Sequence, residues 1–113
     1  MAKKKRVYQV AERIQEIIAT ELQQLADPRF SLVTVTSVIV SDDLRYSKIY
    51  WVVSGGEERV GEVEEAFKGA TSFLRRIIAR TLDIRFVPEI KFFYDDTLDV
   101  TNSVDRLLKS IQN

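Results

Sequence analysis

Two pairs of adjacent aspartates, Asp42-Asp43 and Asp95-Asp96, are by residue type the groups most suited to acid–base chemistry. Both pairs lie where predicted strands end, and aspartate at such positions bonds nearby backbone amides in turns and helix caps. We therefore interpret them as turn and cap residues. The sequence contains no histidine and no cysteine, so it lacks the commonest general base and any thiolate chemistry. We expect no metal site, no cofactor and no enzymatic activity.

The glycine pair Gly55-Gly56 lacks the glycine spacing and the lysine of a phosphate-binding loop. The acidic run from Glu57 to Glu65 is interpreted as the solvated start of a helix, where the helix dipole favours negative charge. No apolar run approaches the roughly 18 residues needed to span a bilayer, and the basic N-terminus leads into an amphipathic stretch. We expect a cytoplasmic, monomeric protein with no membrane partner and no small-molecule substrate.

Basic residues form the more informative pattern. The chain carries 17 basic and 17 acidic residues, yet the charges are segregated. Residues 1–14 hold five bases and one acid, residues 67–91 hold six bases and two acids, and residues 41–66 hold seven acids and three bases. If the two basic segments fold onto one side, the molecule orients toward a polyanion despite its neutral total. The candidate RNA-binding residues are Lys3, Lys4, Lys5, Arg6, Arg13, Lys68, Arg75, Arg76, Arg80 and Arg85.

The spacing of these residues favours nucleic acid over an ordinary solvated surface, which is the alternative interpretation. Arg6 and Arg13 are one heptad apart on one predicted helix, and the bases between Lys68 and Arg80 fall opposite an apolar stripe. Arginine makes bidentate contacts with phosphate. Aromatic side chains add stacking surface for unpaired bases when they are exposed, and Tyr8 is one candidate. Tyr50 is a second candidate, although half-buried packing would explain either tyrosine.

The elements that position these residues follow from periodicity. Apolar residues from Val7 to Leu25 recur every three or four positions and predict an amphipathic helix, which Asp27-Pro28 ends. Residues 32–40 are rich in β-branched residues and predict a strand, with a bulge near Ser37 where the alternation slips. A turn at residues 42–44 leads to a second strand, in which Ile49, Trp51 and Val53 share one face. The short connection predicts an antiparallel hairpin.

Helical spacing returns from Val60 to Leu82, and Gly69, Thr71 and Ser72 predict two helical halves joined by a kink at residues 69–72. Pro88 opens a third strand over residues 90–94. A last short helix follows within residues 97–113. We predict a single α+β domain over residues 1–113, whose residues 1–5 form a flexible basic start. Helices cover one face of its three-stranded sheet.

The ordered set of motifs resembles the ribosome-binding factor A family over nearly the whole chain. The motifs are Asp27-Pro28-Arg29, Val33-Thr34-Val35-Thr36, Ser41-Asp42-Asp43-Leu44, Lys48-Ile49-Tyr50-Trp51-Val52, Phe73-Leu74-Arg75-Arg76, Ile84-Arg85-Phe86-Val87-Pro88-Glu89-Ile90 and Phe92-Phe93-Tyr94-Asp95. The resemblance implies a type II KH-like fold with the order α-β-β-α-α-β. Its kink triplet corresponds to Ala70-Thr71-Ser72, in which serine stands where the family usually has glycine.

The resemblance also implies binding to the small (30S) ribosomal subunit and its 16S rRNA during late maturation of the subunit. It implies a non-catalytic role in assembly and rRNA processing, with importance for growth in the cold. A generic KH-type module for single-stranded RNA is the main alternative, and it predicts similar affinity for short unstructured RNA and for subunits. A protein-interaction domain is a further alternative, and its binding would survive nuclease treatment.

Overall fold

The computed structural model describes residues 2–96, and the side chains from Lys5 onward. Its elements are helix α1 (Ala2–Gln24), a 3-10 turn (Pro28–Phe30), strand β1 (Val33–Val40), strand β2 (Tyr46–Val53), helix α2 (Glu58–Leu82) and strand β3 (Glu89–Tyr94). The predicted C-terminal helix in 97–113 lies outside the described residues. The assignment of residues 1–113 to one domain stays a prediction.

The apolar stripe of helix α1 is buried, as its spacing predicted. The helix ends at Gln24, shortly before Asp27-Pro28. Ile14 and Ile18 are fully buried. After the helix, Asp27 accepts a hydrogen bond from the backbone N–H of Arg29 and ion-pairs with its guanidinium at 2.6 Å. The side-chain and backbone hydrogen bonds from Arg29 lower the pKa of Asp27. The aspartate therefore holds the turn that directs the chain into the sheet.

Strands β1 and β2 form the predicted antiparallel hairpin, and the predicted bulge is confirmed. The register passes from Val35 opposite Trp51 to Ser37 opposite Tyr50, which leaves Thr36 as the extra residue. In the connecting turn, Asp43 accepts hydrogen bonds from the Ser41 hydroxyl at 2.7 Å and from the Arg45 backbone N–H at 3.1 Å. These two bonds lower the pKa of Asp43. Asp43 is thus a turn residue, as its position predicted.

Strand β3 pairs with β2 in parallel, so the sheet order is β1-β2-β3. Helix α1 contacts β1 and helix α2 contacts β3, and the two helices contact each other. The predicted two-layer arrangement, with helices on one face of the sheet, is confirmed. The buried core between the layers consists of Val7, Ala11, Ile14, Ile17, Ile18, Leu22, Phe30, Val35, Val40, Ile49, Trp51, Val63, Ala66, Phe67, Leu74, Ile78 and Ile90.

The long helix α2 spans both predicted helical halves. The residues on either side of Ala70-Thr71-Ser72 form one helical run from Glu58 to Leu82, and the kink between the halves stays a prediction. The hydroxyl of Thr71 donates to the carbonyl oxygen of Phe67 at 2.7 Å, so it is satisfied within the helix by a contact that is common where helices bend. Phe67 and Leu74 on either side are fully buried. Packing of this apolar face outweighs the low helix propensity of the small residues.

Candidate nucleic-acid interface

The start of α1 and the end of α2 meet at one end of the molecule. One surface hollow there is lined by Lys5, Arg6, Gln9, Val10 and Arg13 of α1 together with Leu82 and Ile84. A second hollow is lined by Arg6, Val10, Asp43, Leu44, Arg45 and the segment 83–88. Arg6, Val10 and Ile84 line both hollows, so the two are continuous. The fold therefore brings Lys5, Arg6 and Arg13 into one surface with Arg85, although they are far apart in sequence.

The left-handed turn at Asp83 accounts for this meeting. Asp83 ends α2 with φ +52°, and the chain then turns back along Ile84 toward β3. The apolar side chains Val10, Leu82 and Ile84 are partly buried there, and the cations stand around them. Contacts between apolar side chains thus fix the relative position of two charged segments that would otherwise repel each other.

The predicted cations differ in what they already bind. Arg13 pairs with Glu16 at 2.9 Å within α1, and Lys68 pairs with Glu65 at 3.4 Å within α2. Both ion pairs are exposed. Within residues 5–96, six exposed predicted cations make no ion pair, namely Lys5, Arg6, Arg75, Arg76, Arg80 and Arg85. A phosphate reaches these six without displacing an acid. Lys3 and Lys4 fall in the first turn of α1, but their side chains lie outside the described ones.

The predicted basic face of α2 is distributed over two flanks of the helix. The Arg75 guanidinium donates to the carbonyl oxygen of Val87 at 3.2 Å, and Lys68 lines a hollow beside β3. Because successive helical residues are about 100° apart, Arg76 and Arg80 lie on the other flank of α2. The four cations therefore spread over an arc of about 140° on the exposed side of α2, opposite the buried Leu74 and Ile78. Arg75 serves in part to hold the segment before β3.

Two acidic side chains reduce the positive charge of the second hollow but do not cancel it. Asp43 and Asp83 line it together with Arg6, Arg45 and Arg85. The carboxylate of Asp43 is already engaged by Ser41 and by the Arg45 backbone, which lowers its pKa and keeps it ionised. The three arginines outnumber the two aspartates, and the first hollow adds Lys5 and Arg13. The combined surface carries a net positive charge.

One functional candidate escaped the sequence analysis. The side chain of Phe86 is 80% exposed beside the second hollow, and the Arg85 guanidinium lies 5.6 Å from the centre of its ring. An exposed ring next to free cations is the combination that binds unpaired bases. The sequence feature that could have identified Phe86 is its position between Arg85 and the Val87-Pro88 pair, outside any predicted helix or strand. The sequence analysis named Phe86 only as a member of a family motif and gave it no role.

The two tyrosines proposed for stacking lie elsewhere. Tyr8 is 72% exposed, but it shares its flank of α1 with Gln15, which donates to the carbonyl oxygens of β1 residues at 3.4 Å. Tyr8 thus faces the β1 side, away from Arg6. Tyr50 is partly buried on the outer face of the sheet, where its ring centre lies 5.7 Å from that of Phe93. Neither tyrosine belongs to the surface that Arg6 and Arg85 share.

Residues 2–96 contain no cluster of three or more metal-ligating side chains. No helix in the same range has the length and apolar character needed to cross a membrane. The distinctive surface of the described residues is the basic one formed by the ends of the two helices.

The fold and this surface define a KH-like α+β domain with a basic end. The sequence model of the family described as ribosome-binding factor A matches residues 6–108. Ribosome-binding factor A of Geobacter metallireducens is 39% identical over 108 residues, which cover 95% of this chain and 92% of that protein. The chain therefore belongs to the ribosome-binding factor A family.

Solved structures agree with this assignment. The crystal structure of ribosome-binding factor A from Thermus thermophilus matches with a TM-score of 0.69 at 27% identity, covering 78% of this chain and 94% of that chain. A homology model of the Thermus thermophilus factor, fitted into a cryo-electron microscopy map of a complex with the 30S subunit, matches with a TM-score of 0.64 at 28% identity. That match covers 75% of this chain and 90% of the other.

Proposed function

We propose that this protein binds the small (30S) ribosomal subunit and its 16S rRNA during late maturation of the subunit, as a non-catalytic assembly and rRNA-processing factor. Membership of the ribosome-binding factor A family and the Thermus thermophilus complex with the 30S subunit support this function. The observation that carries it is the continuous surface that joins Arg6 of α1 to Arg85. That surface gives a neutral protein one end suited to RNA.

In the proposed mechanism, phosphate contacts fix the position of the protein on the RNA, and RNA shape and unpaired segments select the site. The RNA-binding residues comprise Lys3, Lys4, Lys5, Arg6, Arg13, Lys68, Arg75, Arg76, Arg80 and Arg85. The unpaired members contribute most, because Arg13 and Lys68 must first leave their glutamates. Phe86 adds a stacking surface beside Arg85. Binding holds one RNA conformation and blocks premature use of the immature subunit.

The proposal places the protein in the cytoplasm, acting as a monomer of one domain without a cofactor. It assigns no bond-making or bond-breaking step to the protein. We also expect its loss to impair growth most at low temperature, because alternative RNA structures rearrange more slowly in the cold and a protein that favours one of them then matters more.

Sedimentation of the tagged protein through a lysate gradient tests the proposal. We expect the protein to travel with small subunits and not with complete ribosomes. The double variants Arg6→Glu/Arg85→Glu and Arg76→Glu/Arg80→Glu should each lose this association, since they place negative charge against phosphate. Gln23→Glu/Gln24→Glu adds acids at the exposed opposite end of α1 and serves as the control. Circular dichroism should show that all three variants remain folded.

The alternatives predict different results in the same experiment. Equal affinity of the purified protein for subunits and for short unstructured RNA would favour a generic RNA-binding module. Association that persists after nuclease treatment and in both arginine variants would favour a protein partner. Unchanged co-sedimentation of Arg6→Glu/Arg85→Glu would refute the proposed interface.

A further inference from the structure

Among the described residues, the face of the sheet opposite α1 and α2 carries a second group of cations and aromatic rings. In β2, Ser47, Ile49 and Trp51 are buried beneath the helices, so the alternate residues point to the opposite face. Strand pairing aligns Lys48 with Lys91 and Tyr50 with Phe93 across β2 and β3. These four side chains form an outer-face cluster, on the other side of the sheet from Arg6 and Arg85.

The lysine pair is an arrangement that an anion would stabilise. Lys48 and Lys91 are register partners on the parallel strands β2 and β3, so two like charges lie side by side and repel each other. Both are exposed, and neither makes an ion pair with any residue of the described range 5–96. Glu89 lies at the beginning of β3, and Asp95, which accepts a hydrogen bond from Thr36 at 2.9 Å, lies beyond its end. The middle of the outer face is therefore positive.

The aromatic pair lies immediately beside the lysines. The rings of Tyr50 and Phe93 are inclined by 32° with their centres 5.7 Å apart, and Phe93 is 39% exposed. The Lys48 ammonium lies 6.0 Å from the centre of the Phe93 ring. A positive charge next to an exposed ring matches the phosphate and the base of one nucleotide. Strand pairing fixes the backbone positions of all four residues, so only their side chains must be ordered on binding.

We propose that the outer-face cluster binds unpaired RNA, with a phosphate between Lys48 and Lys91 and a base against Phe93 and Tyr50. The two lysines favour a nucleotide over an apolar protein surface, because a protein partner would have to desolvate both charges. The site goes beyond the subunit-binding function and does not depend on it, since it uses different residues on the opposite face. Together the two faces would let the protein hold two separate segments of RNA at once.

Nuclear magnetic resonance titration of the isotopically labelled protein with a short oligouridylate tests the proposal. We expect the largest shifts at outward residues of β2 and β3, including Tyr50 and Phe93, and no such shifts with a duplex of equal length. Lys48→Ala/Lys91→Ala should weaken binding about five-fold in roughly 0.1 M salt, as for loss of one phosphate contact. Lys48→Arg/Lys91→Arg should restore it. Phe93→Thr keeps a strand-forming residue and should weaken binding by a similar factor.

The outcomes separate this site from the helix-side interface. Arg6→Glu/Arg85→Glu should keep the outer-face shifts while losing association with subunits. Shifts confined to α1 and α2, or no binding of the oligouridylate, would overturn the outer-face site and leave subunit binding intact. A dimer that forms at high protein concentration and is abolished by Phe93→Thr would assign this face to a second copy of the chain, which would also overturn the proposal.

Discussion

Replacing Arg6 and Arg85 with glutamine tests the proposed interface quantitatively. The two guanidinium groups line one continuous surface and make no ion pair among residues 5–96. Each phosphate contact on single-stranded RNA changes the slope of log affinity against log salt by about 0.7, and counterion release vanishes near 1 M salt. Each contact is therefore worth about five-fold in affinity at roughly 0.1 M salt. Loss of both should weaken binding about 25-fold.

Arg13→Gln/Lys68→Gln is the matched control, because it removes the same formal charge from two exposed cations. Arg13 and Lys68 are paired with Glu16 and Glu65, so phosphate binding by either leaves an unpaired acid beside it. We expect this control to lose less than about five-fold and to change the salt slope little. Binding of both variants to small subunits should be measured by fluorescence anisotropy across a salt series. Equal losses in the two variants would refute the reasoning that pairing decides which cations bind RNA.

Four further predictions follow from individual contacts. Phe86→Ala should leave stability nearly unchanged, because the ring is 80% exposed, yet weaken RNA binding by about 1–3 kcal/mol if the ring stacks on a base. Phe67→Ala should cost about 3–5 kcal/mol in urea unfolding, because the fully buried ring contacts Phe30, Trp51 and Phe92; a loss below about 1 kcal/mol would contradict this packing. Gly69→Ala should stabilise the protein by about 1 kcal/mol, since α2 is continuous there and an added Cβ meets nothing within 4 Å; destabilisation would contradict a continuous helix. Asp43→Asn should lower the melting temperature near neutral pH and not in strong acid, because the pKa of Asp43 is lowered from 3.8 by Ser41 and the Arg45 backbone. Its stabilisation is present above that ordinary value and is lost as pH falls through the folded pKa, so a difference that persists in strong acid would refute the assignment.

Local patterns predicted most of the fold. The apolar residues of α1 recur with the period of about 3.6 of a helix, and those of β2 alternate with the period of about 2 of a strand. The bulge at Thr36 was visible because a one-residue insertion exchanges the two faces of a strand. The helix α2 runs through Gly69 and Ser72 because the propensities of these residues are weak preferences, whereas burial of Phe67 and Leu74 is worth more.

The candidate sites depended more on tertiary structure. Charge segregation in the sequence identified Arg6 and Arg85 as members of two basic segments, but spacing along one helix cannot show which distant side chains meet. It also cannot show that, among residues 5–96, Arg13 and Lys68 find acidic partners while Arg76 and Arg80 do not. Ion pairing depends on side-chain conformations and on neighbours one helical turn away.

The sequence by itself determined which segments form helices and strands, the resemblance to a ribosome-binding family and the absence of histidine and cysteine chemistry. Only the tertiary structure decided which charges share a surface and which rings are exposed. It placed Arg6 beside the Arg85 segment, exposed Phe86, and set Lys48 against Lys91 on the outer face. The physical reason is that periodicity is a local property of the chain, whereas the packing of helices on a sheet joins residues that are distant in sequence.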